Sequence, residues 1–351
     1  MKNLKSLQVR KPFSFSLNLL LRQEFFLLIL FVVAIAINGR LSPYFFNINN
    51  LMDTTSNFME KGLVALPMMM IIITGDIDLS AESTMGMATI VMGTLFMGGL
   101  NVWLAVLAGL LVGALAGFVN GLIITKFKLP AMIVTLGTMA LYRGIAVILT
   151  GVNTVRGFTQ LSFLGQGYIP GTLIHVSMAI FIVMAVIFGI VLHRTTFGRS
   201  IYAIGNNQET CRFSGIAVDR VKIILFVLCG FMSALAGIIM AARFGATARN
   251  DLGLGLNFEI ITAVVLGGVN ILGGSGTTLG VVFGLFLIGL VGYGMSLVNV
   301  PPRVQTMVIS MILLVSILLP NFIRWLLQKI KKANLKREDH VATLEEAVPE
   351  K

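Results

Sequence analysis

The 351-residue chain is 56% hydrophobic and only 12% charged, with a mean hydropathy of +0.92. A soluble domain carries charge on about a quarter of its residues, so this composition excludes an ordinary water-soluble fold and points to one membrane domain. A net charge of +11 would also suit a nucleic-acid binder, but membrane insertion alone accounts for a basic excess, and no nucleic-acid partner is expected.

In chain order, residues 1–24 are basic and mixed, a cytoplasmic segment expected to lie along the membrane surface. Ten apolar segments follow: Phe25–Ile37, Leu63–Thr74, Met85–Phe96, Val102–Thr125, Ala131–Thr150, Leu173–Leu192, Ile223–Ala242, Phe258–Leu272, Thr277–Leu297 and Met307–Ile323. They predict an all-α polytopic helical bundle over residues 25–323. No small-residue cleavage site follows the first run, which is therefore read as a retained span. Residues 324–351 begin basic and end acidic, as expected of a cytoplasmic tail.

The distribution of basic residues orients the bundle. Of 26 Lys and Arg, 19 fall on the side that holds both termini and six on the other: Arg40, Lys61, Arg156, Arg243, Arg249 and Arg303. Cytoplasmic loops retain Lys and Arg during insertion, so both termini are expected in the cytoplasm. Cys211 then falls in a cytoplasmic loop and Cys229 within a span, which argues against a disulfide.

Two of the apolar runs are short. Leu63–Thr74 is about half of the roughly 20 residues that a span needs. Either it borrows polar residues from the Asn57–Lys61 side, or the span is broken. Phe258–Leu272 is short as well and ends in glycines. Paired short, Gly-interrupted spans point to a transport path.

Four constellations carry candidate chemistry. The first is Gly75-Asp76-Ile77-Asp78-Leu79-Ser80-Ala81-Glu82-Ser83, with three carboxylates between apolar runs. It reads either as a solvated turn with Ser80 or Asp78 capping the next helix, or as a polar break lining the path, through Asp76, Asp78 and Glu82. The second is Arg143 in the fifth span, which either snorkels to the outer interface or sits inside the bundle against a carboxylate or a polar solute.

The third is the long cytoplasmic loop 193–216, in which Gln208–Phe213 can form a short helix ended by Gly215. Its apolar residues call for a partner surface or for packing within the loop itself. The fourth is Gly267-Gly268-Val269-Asn270-Ile271-Leu272-Gly273-Gly274-Ser275-Gly276, whose glycines allow sharp turns between helices and whose Asn270 could face the path. Gly273 to Gly276 also has the shape of an intramembrane serine-protease motif. That chemistry needs a later His as base, and only His340, in the tail, follows Ser275. No P-loop, no H-E-x-x-H and no metal-ligand cluster occurs, so neither a cofactor nor a metal is expected.

Taken together, Ile73–Ser83, Ile133–Gly144, Phe197–Asn206 followed by Ser214-Gly215-Ile216, and Ala263–Gly280 resemble the inner-membrane permease family of bacterial ABC importers for ribose and related sugars. The resemblance covers nearly the whole chain. It departs at Asp76 and Ala81, where that family usually has Gly. Arg243–Leu254 with Ile260-Ile261-Thr262-Ala263 looks more like the permeases for autoinducer-2 and rhamnose than those for ribose or galactose. The resemblance implies a multi-pass subunit without catalytic activity of its own. It further implies a periplasmic solute-binding protein, a second permease subunit (identical or a paralogue) and ABC ATPase subunits as partners, besides membrane lipid. The ATPase contact would involve Phe197, Gly198, Arg199, Gly205, Asn206, Glu209 and Gly215. An ATP-independent carrier or channel for a small polar solute is the competing class.

Overall fold

The computed structural model describes residues 23–151, 154–315, 318, 322 and 329. Most of the expected N-terminal surface segment and of the C-terminal tail lies outside these residues. The described chain is helical apart from one two-stranded ribbon. Its elements are α1 (Gln23–Leu41), α2 (Ile48–Ile73), α3 (Ala81–Met97), α4 (Val102–Phe127), α5 (Ala131–Thr150), β1 (Val155–Arg156), α6 (Ser162–Gln166), α7 (Val176–Arg194), α8 (Thr196–Asn206), α9 (Gln208–Phe213), α10 (Val218–Arg243), β2 (Thr247–Ala248), α11 (Leu256–Leu266), α12 (Thr278–Leu297) and α13 (Pro302–Val315). Among the described residues, α2, α4, α5, α7, α10 and α12 are long and apolar enough to cross a membrane. The strands β1 and β2 pair antiparallel, Val155 opposite Ala248.

The apolar run from Leu63 is not a separate half-span. It is the C-terminal half of α2, a continuous 26-residue helix that starts at Ile48, with Asn47 accepting from the Asn49 and Asn50 amides. The helix takes in the polar stretch because that stretch is paired, not solvated. Glu60, 1% exposed, accepts from Arg243 Nε of α10 at 2.7 Å, while Arg243 Nη1 donates to Asn57 at 2.9 Å. Lys61 pairs with Glu259 of α11. From Leu63 to Ile73 every residue is buried, Pro67 included. A helix apolar all round must lie inside its fold, and α2 is the central post, packed by α7, α10, α11 and α12.

The other short run does end early. Helix α11 stops at Leu266, capped by Gly267, and residues 267–277 form a compact turn rather than the last turn of a span. Gly268 and Gly273 both adopt φ of +90°, a conformation that costs glycine little and ends the helix. On the other side of the bundle α4 and α10 cross closely. A Cβ at Gly117 would stand 2.0 Å from the Phe226 carbonyl oxygen, so only glycine permits that approach.

Candidate functional site: a polar break joining two short helices

The chain leaves α2 at Gly75 (φ +85°), runs without regular structure from Asp76 to Ser80, and enters α3 at Ala81. The turn is not solvated: Asp78 and Ser80 are each 1% exposed. Asp78 Oδ1 accepts from the Ser80 amide at 2.8 Å and from Ser80 Oγ at 2.6 Å. Ser80 Oγ in turn accepts from Asn120 Nδ2 of α4 at 2.8 Å, and the Tyr142 hydroxyl of α5 lies 3.1 Å from Asn120 Oδ1. Neither Asp78 nor Ser80 caps α3 through its side chain in the ordinary way. Burial explains this: deep in the bundle Asp78 can offset its desolvation only by taking neighbouring donors, and these are the amide and hydroxyl two residues on.

The cap of α3 comes from elsewhere. Asn257, in the first turn of α11, accepts through Oδ1 from the Glu82 amide at 3.2 Å and donates through Nδ2 to the Leu79 carbonyl. The favour is returned at the other helix: Glu82 Oε2 accepts from the Gly255 amide at 2.9 Å and the Asn257 amide at 3.4 Å. Two helix N-termini therefore meet and cap each other across 175 residues of sequence. A carboxylate at a helix N-terminus satisfies otherwise orphaned amides and complements the positive end of the helix dipole.

Arg143 closes this node. Its guanidinium lies 3.8 Å from Glu82 Oε1 and donates to the carbonyls of Asn250 and Leu252, the latter at 3.1 Å. Arg143 is therefore held inside the fold against a carboxylate. The fork passes over Gly86, where a Cβ would come within 2.9 Å of Nη1. Helices α3, α5 and α11 and the loop before α11 are tied at this point.

Asp76 turns the other way, toward the helix that follows the 193–216 loop. Its Oδ2 lies 2.8 Å from Lys222 Nζ of α10. Asn270 stands on the exposed glycine turn, where its side chain accepts from the Leu272 amide at 3.1 Å. The structure therefore brings Glu82 and Arg143 together, sets Asp78 a few residues away in its own hydrogen-bonded chain, and holds Asp76 and Asn270 apart from both.

The loop expected to contact a partner is two helices. Thr195 caps α8 by accepting from the Gly198 amide at 3.2 Å. The expected helix over Gln208–Phe213 forms as α9, with Asn207 as its cap and Gly215 at φ +79° beyond it. Gly198 and Gly205 face inward, while Arg199, Asn206, Glu209 and Gly215 are exposed and Phe197 is half-buried against the core. Gly205 rests against the end of α2 and the glycine turn, and the Gly274 amide donates to the Ile73 carbonyl at 2.9 Å. Tyr202 Oη donates to the Gly276 carbonyl at 2.7 Å. Burial raises the Tyr202 hydroxyl pKa above its ordinary value, so this bond persists across the physiological range. Gly273, Gly274 and Gly276 thus form the seat on which α8 sits. Phe213, the last residue of α9, is 89% exposed.

Sequence reasoning missed Asn120, Asn257 and Lys222. Asn120 had a visible signal, being the one amide within an otherwise apolar span. Lys222 was counted only as a loop lysine, and Asn257 gave no local sign.

The family described as branched-chain amino acid transport system/permease component matches residues 50–317, a range that contains the whole node and the α8–α9 unit. The chain belongs to this family. It is similar to the autoinducer 2 import system permease protein LsrD of Shigella flexneri and of Escherichia coli O157:H7, each 35% identical over 297 residues, covering 83% of this chain and 90% of the relative. No solved structure gives a significant match. As a member of this permease family, the chain is a transport subunit of an ABC importer, multi-pass in the inner membrane.

Proposed function

We propose that this permease subunit passes autoinducer-2, or a closely related small polyhydroxyl solute, through a path bordered by the Gly75–Glu82 break. Similarity over 83% of the chain to permeases named for autoinducer 2 import carries the choice of solute. The family description names branched-chain amino acids instead, but an amino acid brings a separated ammonium and carboxylate that need counter-charges. Here Glu82 is already taken by Arg143, Asp76 by Lys222 and Asp78 by the Ser80 amide and hydroxyl, which leaves backbone and amide groups suited to a neutral polyol. The same pairing speaks against a cation-coupled carrier, which would depend on free intramembrane carboxylates.

In this reading a second permease copy or paralogue completes the path, a periplasmic binding protein delivers the solute, and ABC ATPase subunits dock on α8 and α9. Asp78 and Arg143 hold the walls of the path rather than grip the solute. The chain crosses the membrane ten times with both termini inside, as the 19-to-6 division of Lys and Arg supports. Reporter fusions at Gly98 and Val298 should then read periplasm, and fusions at Lys126 and Gly205 cytoplasm. A reversal at two of the four would overturn the topology.

The docking face has its own test. A phenylalanine 89% exposed on a cytoplasmic helix is an anchor without a pocket, and such aromatic anchors dominate the energetics of interfaces. Phe213→Ser is expected to leave membrane levels unchanged and to weaken ATPase retention by about 2 kcal/mol, roughly thirtyfold in affinity. Equal retention of the ATPase by the variant and the parent would remove α9 from the docking surface.

A further inference from the structure

We propose that Lys222 is a positioning residue that carries motion of the cytoplasmic loop to the polar break. This rests on the ATP-driven reading above and adds the physical link. Lys222 sits in the second turn of α10 and is 7% exposed. Its Nζ lies 2.8 Å from Asp76 Oδ2 and donates to Gln208 Oε1 at 2.9 Å. Asp76 belongs to the irregular segment between α2 and α3, and Gln208 is the first residue of α9. One ammonium thus holds the break and the start of the docking helix at the same time.

The surroundings fit a moving link better than a static brace. A cavity of about 380 Å³ opens beside the pair, lined also by Thr125, Lys128, Glu209, Arg212 and Asp219. Of its other charges, Arg212 is engaged by Asp219 at 2.6 Å, while Lys128 and Glu209 form no ion pair among the described residues and so do not compete for Asp76 or Lys222. The void gives α9 room to shift without first displacing packed side chains. A lysine has a flexible four-carbon stem and three donors, so it can keep both contacts through such a shift. Stability alone does not account for the pair, because a buried ion pair roughly breaks even against apolar residues of the same volume. Asp76 follows Gly75, whose φ of +85° marks the point where the chain turns out of α2, so a pull on Asp76 acts at a natural hinge.

The test uses the complete complex with its ATPase, in a background with Cys211→Ser and Cys229→Ala. Ile77→Cys, on the half-buried residue next to Asp76, reports the break through its rate of reaction with N-ethylmaleimide. A non-hydrolysable ATP analogue should change that rate in the reporter parent. Asp76→Asn and Lys222→Gln should abolish the change, and Lys222→Arg should keep it. If Lys222→Gln does not assemble, Asp76→Asn carries the comparison. The proposal is overturned if the nucleotide has no effect in the parent, or if the change survives in the Asn or Gln variant, even when that variant melts earlier. A complex that retains no ATPase at all would fail the importer reading itself, and that result is visible before any labelling.

Discussion

Arg143→Met is expected to destabilise the protein by about 3–5 kcal/mol, the cost of leaving a buried charge without its partner. Removing the guanidinium leaves Glu82, 7% exposed, facing two helix N-termini with no cation, and leaves the Asn250 and Leu252 carbonyls without their donor. Methionine fills similar space, so the loss is one of charge and hydrogen bonds rather than of packing. Arg143→Lys should fall between the two, since an ammonium keeps the charge but cannot fork between two carbonyls and a carboxylate. The unfolding midpoint of detergent-purified protein measures this. A Met variant that melts with the parent would show that the node is not what ties α3, α5 and α11.

Gly205→Ala should be nearly as damaging, and to transport more than to folding. A Cβ at Gly205 would lie 1.8 Å from the Ile73 carbonyl oxygen and 2.5 Å from the Gly274 amide nitrogen. Both neighbours are backbone, so no side chain can swing aside and α8 must lift off the end of α2. Overpacking of this kind costs about 1–3 kcal/mol. The helix that lifts is the one joining the docking face to the break, so ATP-driven uptake should fall sharply at matched membrane levels. Gly215→Ala is the contrast: φ is +79°, but nothing stands within 4 Å, so it strains one turn without moving α8. Normal uptake by Gly205→Ala would mean that the seat of α8 does not transmit force.

The features that could be read from the sequence were those that depend on local pattern. Hydropathy and the sidedness of Lys and Arg give an all-helical, polytopic chain, because insertion acts on segments one at a time. Asn207 before Gln208 and Gly215 after Phe213 mark α9, because capping is decided within a few residues. Features that depend on distant partners could not be read. The stretch Asn57–Lys61 left open whether the short run borrows it or the span is broken. It is helical because Arg243 and Glu259, 183 and 198 residues away, neutralise it. The break allowed a solvated turn or a lined path; the burial of Asp78 and Ser80 removes the first, and the mutual cap between α3 and α11 gave no local sign. Arg143 allowed two readings for the same reason: its carboxylate partner lies 61 positions earlier and its carbonyl partners more than 100 later.

The central claim is that this permease works only when ATP hydrolysis drives α8 and α9. Its most direct test is uptake of labelled autoinducer-2 into proteoliposomes holding the complex purified through a tag on this chain, with its binding protein supplied. The account predicts that an ATPase subunit accompanies the chain and that uptake requires ATP at the ATPase face and persists when ion gradients are collapsed. Uptake without any ATPase, driven by an ion gradient alone, would contradict it.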